Sequence, residues 1–114
     1  MLAMKYEVIA EHRATFSYAI DLKRGDAITV TDRTEDGWVW CTTHDERGVW
    51  IPQTYLRQIN HTATMLADYN STELDVSIGD TLTGIIIESG WLFCFNTNGR
   101  NGWVPINNVK QIPE

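Results

Sequence analysis

The feature that most constrains this chain is an internal repeat. Residues 8–59 and 65–112 carry the same turn, strand and proline signals in the same order. The matching blocks are 8–12 with 65–69, 20–26 with 74–80, 37–41 with 90–94, and 50–52 with 103–105. Chance rarely preserves the order of so many blocks, and self-similarity of this kind is typical of duplicated folds. The sequence therefore predicts two copies of one small domain.

Each copy has the residue pattern of short strands. Residues 26–32 and 80–87 are rich in Thr, Ile and Val, residues 38–43 and 91–96 alternate, and glycines separate these segments. Such runs indicate strands joined by turns. No window long enough for a helix combines apolar residues at the 3.6 period with start and stop signals. We expect an all-β fold with five strands in each copy.

Alternation in the strand that follows each Gly-Trp pair predicts which side chains are buried. Successive side chains of a strand point in opposite directions, so Val39 and Cys41 lie on one face and two tryptophans on the other. Residues 91–94 repeat this pattern, with Cys94 on the core face. The two cysteines are therefore predicted to be reduced thiols in separate cores, without a zinc motif or a disulfide.

Composition and charge exclude several classes of function. The chain has 114 residues, of which 43% are hydrophobic and 21% charged, as in an average folded protein. Its net charge of -6 provides no basic face for a nucleic acid. No apolar stretch has the length of a signal peptide or a membrane span. We expect a cytoplasmic protein without metal or cofactor, whose partner is neither a nucleic acid nor a membrane.

The repeated blocks resemble those of SH3 domains. Residues 65–69 are similar to the Ala-Leu-Tyr-Asp-Tyr opening of that family, residues 20–26 and 74–80 to its Gly-Asp turn, and residues 50–52 and 103–105 to its Ile-Pro block. More narrowly, the chain resembles bacterial proteins made of two variant SH3 domains. The resemblance implies two SH3-like five-stranded barrels in tandem, at residues 4–59 and 62–112. Asn60 and His61 then remain as a short linker, which is expected to fix the copies relative to each other.

The resemblance also implies a ligand groove in each copy, formed by two opening tyrosines, a strand-start tryptophan, a proline and a tyrosine after it. The matching residues are Trp38, Pro52 and Tyr55 in the first copy and Tyr69, Trp91 and Pro105 in the second, with His12 in the place of a groove tyrosine. The other rings are replaced by Ala10, Ala67 and Asn108. Proline-rich peptides insert between such rings, so we expect simple PxxP peptides to bind weakly or not at all.

A binding module without catalytic residues is the function that this pattern favours, with a protein or peptide as its ligand. One alternative is a structural pair whose aromatic faces are buried between the copies or in a homodimer. Another is a cell-wall-targeting module. The solvent exposure of Trp38 and Trp91 distinguishes binding from structural packing. The acids Asp32, Glu35 and Asp36 could attract a basic ligand residue beside Trp38 or form a solvated turn.

Overall fold

Short strands dominate the fold. The computed structural model describes residues 4–16, 18–33 and 36–113. The strands are β1 (Met4–Val8), β2 (Asp21–Leu22), β3 (Ala27–Arg33), β4 (Trp38–Thr42), β5 (Gly48–Pro52), β6 (Leu56–Ile59), β7 (Thr62–Met65), β8 (Tyr69–Asn70), β9 (Thr81–Glu88), β10 (Trp91–Phe95), β11 (Asn101–Pro105) and β12 (Val109–Ile112). The helical elements in these ranges are two 3-10 turns, Gln53–Tyr55 and Ile106–Asn108. No helix in the described ranges is long and apolar enough to cross a membrane.

Two five-stranded antiparallel sheets have the same strand order. One runs β5-β4-β3-β7-β6 and the other β11-β10-β9-β1-β12. Each contains one register shift, in the β3–β4 ladder and in the β9–β10 ladder. A separate two-stranded ladder joins β2 to β8. These sheets fit two SH3-like barrel domains, which confirms the predicted all-β fold class.

The two repeats exchange their opening strands. β1 pairs with β9 and β12 of the second repeat, whereas β7 pairs with β3 and β6 of the first. The chain accordingly divides into unit 1, formed by Met1–Ala19 with Thr72–Glu114, and unit 2, formed by Ile20–Ser71. These units differ in composition from the sequence ranges 4–59 and 62–112, because each unit takes its opening strand from the other repeat.

The hairpin between β6 and β7 gives a physical reason for the exchange. Its ladder runs from the Ile59–Thr62 pair to the Leu56–Met65 pair, so Asn60 and His61 form a two-residue turn rather than a linker. Two residues are the commonest connection between neighbouring antiparallel strands. Asn60 has a φ of 56°, a left-handed conformation in which asparagine is enriched. β7 therefore fills the place beside β6, and β1 fills the same place in unit 1.

Equivalent backbone hydrogen bonds hold the exchanged strand in each unit. In unit 2 the N–H of Gly25 donates to the carbonyl oxygen of Met65 at 2.8 Å, and in unit 1 the N–H of Gly79 donates to that of Val8 at 2.8 Å. Gly25 and Gly79 have φ values of 92° and 93°, which glycine adopts without steric cost. The same turn thus receives the opening strand in both units.

The cores distinguish the two opening strands by size. In unit 1 the ring of Tyr6 covers Gly84 so closely that a Cβ on this glycine would lie 2.5 Å from the Tyr6 Cε1 atom. The ladders place Ala63 and Val30 at the equivalent positions of unit 2. Tyr6 beside Val30 would overpack the core, and Ala63 beside Gly84 would leave a void. Size complementarity therefore favours the exchanged arrangement.

Both cysteines lie in the cores, as predicted. Cys41 and Cys94 are free and fully buried, one in each unit. Burial raises the pKa of Cys41 to about 11 and that of Cys94 to about 12, because the thiolate is poorly solvated in the interior. Val39 and Leu92 are also buried. The predicted core-facing residues are therefore buried on both strands, whereas Trp38, expected on the opposite face, is also buried.

Candidate ligand-binding grooves

Four of the predicted site residues come together on unit 2. Trp38 and Pro52 are paired in the β4–β5 ladder, and Tyr55 lies in the 3-10 turn that follows Pro52. The ring of Tyr69, from β8, meets that of Tyr55 edge-on, with 5.5 Å between the ring centroids and 76° between the planes. We call Trp38, Pro52, Tyr55 and Tyr69 the unit 2 groove.

Hydrogen bonds hold Tyr69 in this groove. Its hydroxyl donates to the carbonyl oxygen of Trp50 at 2.9 Å, and its backbone pairs with Leu22 in the β2–β8 ladder. The N–H of Leu66, at the end of β7, donates to the carbonyl oxygen of Tyr55 at 2.9 Å. The segment that carries Tyr69 is therefore joined to the 3-10 turn that carries Tyr55.

The unit 2 groove is largely buried. The exposed fraction is 9% for Trp38 and 5% for Tyr69, and Pro52 is also buried, while Tyr55 is partly exposed. The burial of Trp38 is what structural packing predicts. Trp91 in unit 1 is partly exposed, as a binding platform requires.

The equivalent positions on unit 1 carry a different set of side chains. Trp91 and Pro105 are paired in the β10–β11 ladder, and Asn108 ends the second 3-10 turn, in the place of Tyr55. His12 takes the place of Tyr69 and packs edge-on against Trp91, with 5.5 Å between the ring centroids and 79° between the planes. We call His12, Glu73, Trp91, Pro105 and Asn108 the unit 1 site.

Glu73 completes the unit 1 site, although the sequence analysis did not single it out. Its Oε1 atom lies 2.8 Å from Nε2 of His12, and the two side chains are only 13% and 14% exposed. The hydroxyl of Thr15 donates to the same oxygen at 3.1 Å. A glutamate in a short polar loop does not by itself indicate a site residue in the sequence. It gains a partner only because the exchange brings residues 8–16 against residues 72–77.

The exchange redistributes the predicted site residues between the units. His12, expected beside Trp38, lies beside Trp91. Tyr69, expected beside Trp91, lies beside Tyr55. The groove that contains Trp38 therefore gains a tyrosine ring, and the site that contains Trp91 has a histidine in its place. Glu35 and the side chain of Asp32 lie outside the described part of the chain.

A protein-family match covers the first repeat of this chain. Within the described ranges, no cluster of three His, Cys, Asp or Glu side chains could hold a metal ion. Residues 5–59 match the variant SH3 domain family. That range runs from β1 through β6, so the match follows the sequence repeat rather than the exchanged units.

Relatives with SH3 domains are similar to this chain over limited lengths. SH3 and PX domain-containing protein 2A of Danio rerio is 36% identical over 56 residues, 49% of this chain and 5% of that protein. The Homo sapiens 2A protein is 31% identical over 62 residues, 54% of this chain and 5% of the relative. Protein 2B of Mus musculus is 24% identical in an alignment of 128 residues, which covers 97% of this chain and 14% of the relative.

This chain therefore spans only a small part of the length of the relatives that it matches. SH3 domains are interaction modules, and these matches indicate no enzyme family. The comparisons support a protein-interaction module.

Proposed function

We propose that this chain binds an extended segment of a partner protein in the unit 2 groove, without catalysis, metal or cofactor. The observation that carries the proposal is that strand exchange gathers Trp38, Pro52, Tyr55 and Tyr69 in one unit. Neither repeat holds this set within its own sequence range. A cytoplasmic location and the action of both repeats as one module are part of the same proposal.

The rings supply the kind of contact that an extended peptide needs. A polyproline II segment lays its side chains between aromatic rings and loses little entropy, because its conformation is preformed. Tyr55 and Tyr69 meet edge-on, next to the Trp38–Pro52 pair. Each aromatic contact contributes about 0.5–1.5 kcal/mol beyond its buried area. Ala67 removes one ring from this groove, so we expect a modest affinity.

The weak PxxP binding expected from the sequence applies most strongly to unit 1. There His12 and Asn108 stand where unit 2 has Tyr69 and Tyr55. Two aromatic contacts are missing, and each loss of about 1.4 kcal/mol lowers affinity tenfold. Unit 2 lacks one of the family's aromatic rings, whereas each repeat taken alone lacks two. Its groove is therefore the better candidate for a proline-rich ligand.

Access to Trp38 requires a local rearrangement. The indole is only 9% exposed, so a peptide must displace the atoms that cover it. Tyr55 is partly exposed and is the ring that a peptide reaches first. The apparent affinity is reduced in proportion to the fraction of molecules in which the indole is uncovered.

A structural role for the same face is the second candidate, and the burial of Trp38 favours it. In that case the aromatic face packs permanently within the chain or in a homodimer. Trp38 then behaves as a core residue, whose removal costs about 3–5 kcal/mol of stability, and no ligand competes for it.

An NMR titration that follows the five tryptophan indole N–H signals separates the two candidates. Proline-rich peptides that occupy the groove shift the Trp38 signal. Tyr55→Ala weakens this binding about tenfold, because a ring contact and its buried area are lost. Asn108→Ala changes the equivalent position of unit 1 and is the matched control, with an unchanged dissociation constant for the groove.

The structural candidate predicts a different set of results. No peptide shifts the Trp38 signal, and Trp38→Ala lowers the free energy of unfolding. Sedimentation analysis then separates packing within one chain from a homodimer. That combination of results would replace the binding proposal.

A further inference from the structure

The β10–β11 hairpin of unit 1 contains two asparagines that are each followed directly by a glycine. These are Asn98 before Gly99 and Asn101 before Gly102. A main-chain nitrogen can attack the side-chain amide of the preceding asparagine most readily when it belongs to glycine, because glycine has no Cβ to obstruct the approach and has wide conformational freedom. The two pairs have the same chemistry, so their surroundings in the fold decide which of them can react.

The first pair lies at the exposed tip of the hairpin. Residues 97–100 are all exposed, and among the described atoms beyond its chain neighbours none lies within 4 Å of where a Cβ on Gly99 would be. The N–H of Gly99 donates to the carbonyl oxygen of Asn96 at 3.1 Å, near the long end of the usual range. Hydrogen bonds at loop tips open at little cost in free energy. Solvent and the Asn98 side chain can therefore both reach the Gly99 nitrogen.

The second pair is held within the sheet. Gly102 pairs with Cys94 in the β10–β11 ladder and is buried. A Cβ on this glycine would lie 2.9 Å from Cγ of Leu74, which shows how closely the core encloses the backbone. Ring closure requires the main chain at Asn101 to leave the extended conformation of the strand. This pair can therefore react only after part of the ladder opens, which costs more free energy than opening a loop tip.

We propose that Asn98 is a self-modification site, at which water alone converts the asparagine to aspartate or isoaspartate. The Gly99 nitrogen gives up its proton to solvent and forms a bond to the Asn98 Cγ atom. The Cγ–Nδ2 bond then breaks, and Nδ2 takes up a proton and leaves as ammonia, so that a cyclic succinimide remains. Water opens this ring at Cγ to give isoaspartate's isomer aspartate when the new bond breaks, and at the main-chain carbonyl carbon to give isoaspartate. The net reaction consumes one water and releases one ammonia.

The equivalent turn of unit 2 already carries an aspartate at this place. The β4–β5 turn (residues 43–47) and the β10–β11 turn (residues 96–100) have the same main-chain hydrogen bonds, and in both the first N–H donates to the last carbonyl oxygen at 2.9 Å. The match places Asp45 opposite Asn98. The aspartate product therefore fits a turn of this geometry, whereas isoaspartate adds a methylene group to the main chain and disturbs it.

An aspartate at position 98 would also have a partner. In unit 2 the Asp45 carboxylate accepts a hydrogen bond from Nε of Arg47 at 2.9 Å, and Arg100 stands at the place of Arg47 in unit 1. The conversion adds one negative charge to unit 1 at a position where an arginine can pair with it. It does not depend on ligand binding in the unit 2 groove.

The test follows the full chain in mildly alkaline buffer by peptide mass spectrometry, with chromatographic separation of the aspartate and isoaspartate products. In the folded chain Asn98 should convert at least about tenfold faster than Asn101, because the second pair reacts only after the ladder opens. In urea the two rates should become similar, since both pairs are then unfolded. The rate at Asn98 should rise with pH, because the Gly99 nitrogen must lose its proton.

Gly99→Glu is the matched variant, because unit 2 has Glu46 at the equivalent position with a φ of 66°. The substitution should slow conversion of Asn98 about tenfold, since a side chain at position 99 restricts the approach of the main chain. Asn98→Asp is the reference for the product, and its NMR spectrum should match that of the aspartate form isolated from the aged chain. Equal rates at Asn98 and Asn101 in the folded chain, or an unchanged rate in folded Gly99→Glu, overturn the proposal. The comparison with Asn101 is made in the parent chain, so it decides the matter even if a variant fails to fold.

Discussion

Unit 1 and unit 2 share one strand order but use their exchanged strands in opposite ways. Unit 1 receives Tyr6 with β1 and buries it over Gly84 in the core. Unit 2 receives Ala63 at the equivalent core position and, a few residues later, Tyr69 in its groove. The borrowed ring therefore stabilises packing in one unit and forms a potential contact surface in the other. When two copies exchange strands, an aromatic residue on the exchanged strand can serve the core in one unit and the groove in the other.

The two sites differ in chemistry as a result. Unit 2 joins tyrosine, tryptophan and proline, whereas unit 1 joins a histidine–glutamate pair to a tryptophan. We propose the first set as the contact surface for an extended proline-containing segment. The exchange thus gives two similar folds different sets of contact side chains.

The largest expected effect concerns fragments, because only unit 2 is continuous in sequence. Residues 20–71 contain all its strands, so this fragment should fold alone and unfold cooperatively in urea. Residues 4–59 lack β7, including Met65, which is 1% exposed. Losing one such side chain costs about 2–5 kcal/mol, which rivals the stability of a domain this small. This fragment should be unfolded.

Circular dichroism and the dispersion of amide NMR signals measure both fragments. A folded monomer of residues 4–59 would show that β1 can replace β7 within the first repeat. The contrast between a continuous and a discontinuous unit would then lose its physical basis.

The next effect concerns the core position that separates the two units. Gly84→Val places side-chain atoms against the buried ring of Tyr6 and should lower the free energy of unfolding by about 1–3 kcal/mol. Tyr6→Ala in the same chain should recover part of this loss, because contacting residues couple. Ile85→Val, at an exposed position of the same strand, should cost less than about 0.5 kcal/mol. Strictly additive losses in the double variant would contradict the size complementarity.

A smaller effect is expected from the hydroxyl that anchors the unit 2 groove. Tyr69→Phe removes the hydrogen bond to the Trp50 carbonyl oxygen but keeps the ring. The free energy of unfolding should fall by about 1 kcal/mol, as measured by urea denaturation. Peptide affinity in the groove should change by less than about twofold. A large loss of affinity with unchanged stability would mean that the hydroxyl itself contacts the ligand.

The smallest effect for a single side chain concerns the two buried thiols. The thiols of Cys41 and Cys94 have pKa values of about 11 and 12 in the folded chain, against an ordinary value of 9.0. Above pH 9 the unfolded state loses these protons while the folded state keeps them, so the free energy of unfolding falls as pH rises towards 11 and is unaffected below pH 8. At pH 9.5 the expected loss is about 0.8 kcal/mol per thiol.

Urea denaturation of the parent chain and of the Cys41→Ala/Cys94→Ala double variant between pH 7 and 10 measures the contribution of the thiols to the free energy of unfolding. The double variant should show a shallower decline above pH 9. Equal slopes would mean that the thiols do not contribute. A reductant at pH 7 should not shift the urea midpoint of the parent chain or of the double variant, because both cysteines of the parent chain are free.

Much of the fold could be predicted from sequence because it depends on neighbouring residues. Alternation around Val39 and Cys41 needs no knowledge of strand partners, and the repeat shows that one fold occurs twice. The pairing of each opening strand with the other repeat does not follow from the alignment, because β1 and β7 are equivalent in the repeat and the alignment assigns each to its own copy. The Asn60–His61 turn between two strand-like segments is a hairpin signal, and it outweighs that alignment.

The binding role of the predicted site residues stays a prediction, but the structure shows which of them are grouped. Trp38, Pro52 and Tyr55 do lie together, since they belong to consecutive elements of one unit. His12 and Tyr69 follow the exchanged strands, so their neighbours could not be found without the correct strand pairing. Glu73 depends on the same pairing and has no motif of its own.

The exchange also determines when each unit can complete its sheet during synthesis. Once Ser71 has left the ribosome, unit 2 has all its strands. β1 is made before the other described strands but cannot complete its sheet until β12 exists, because Lys5 pairs with Ile112. At about 5–20 residues per second, the stretch from Ser71 to Ile112 takes about 2–8 s to translate. During that time β1 has open hydrogen-bonding edges, and we expect it to be the segment most prone to pair with other chains.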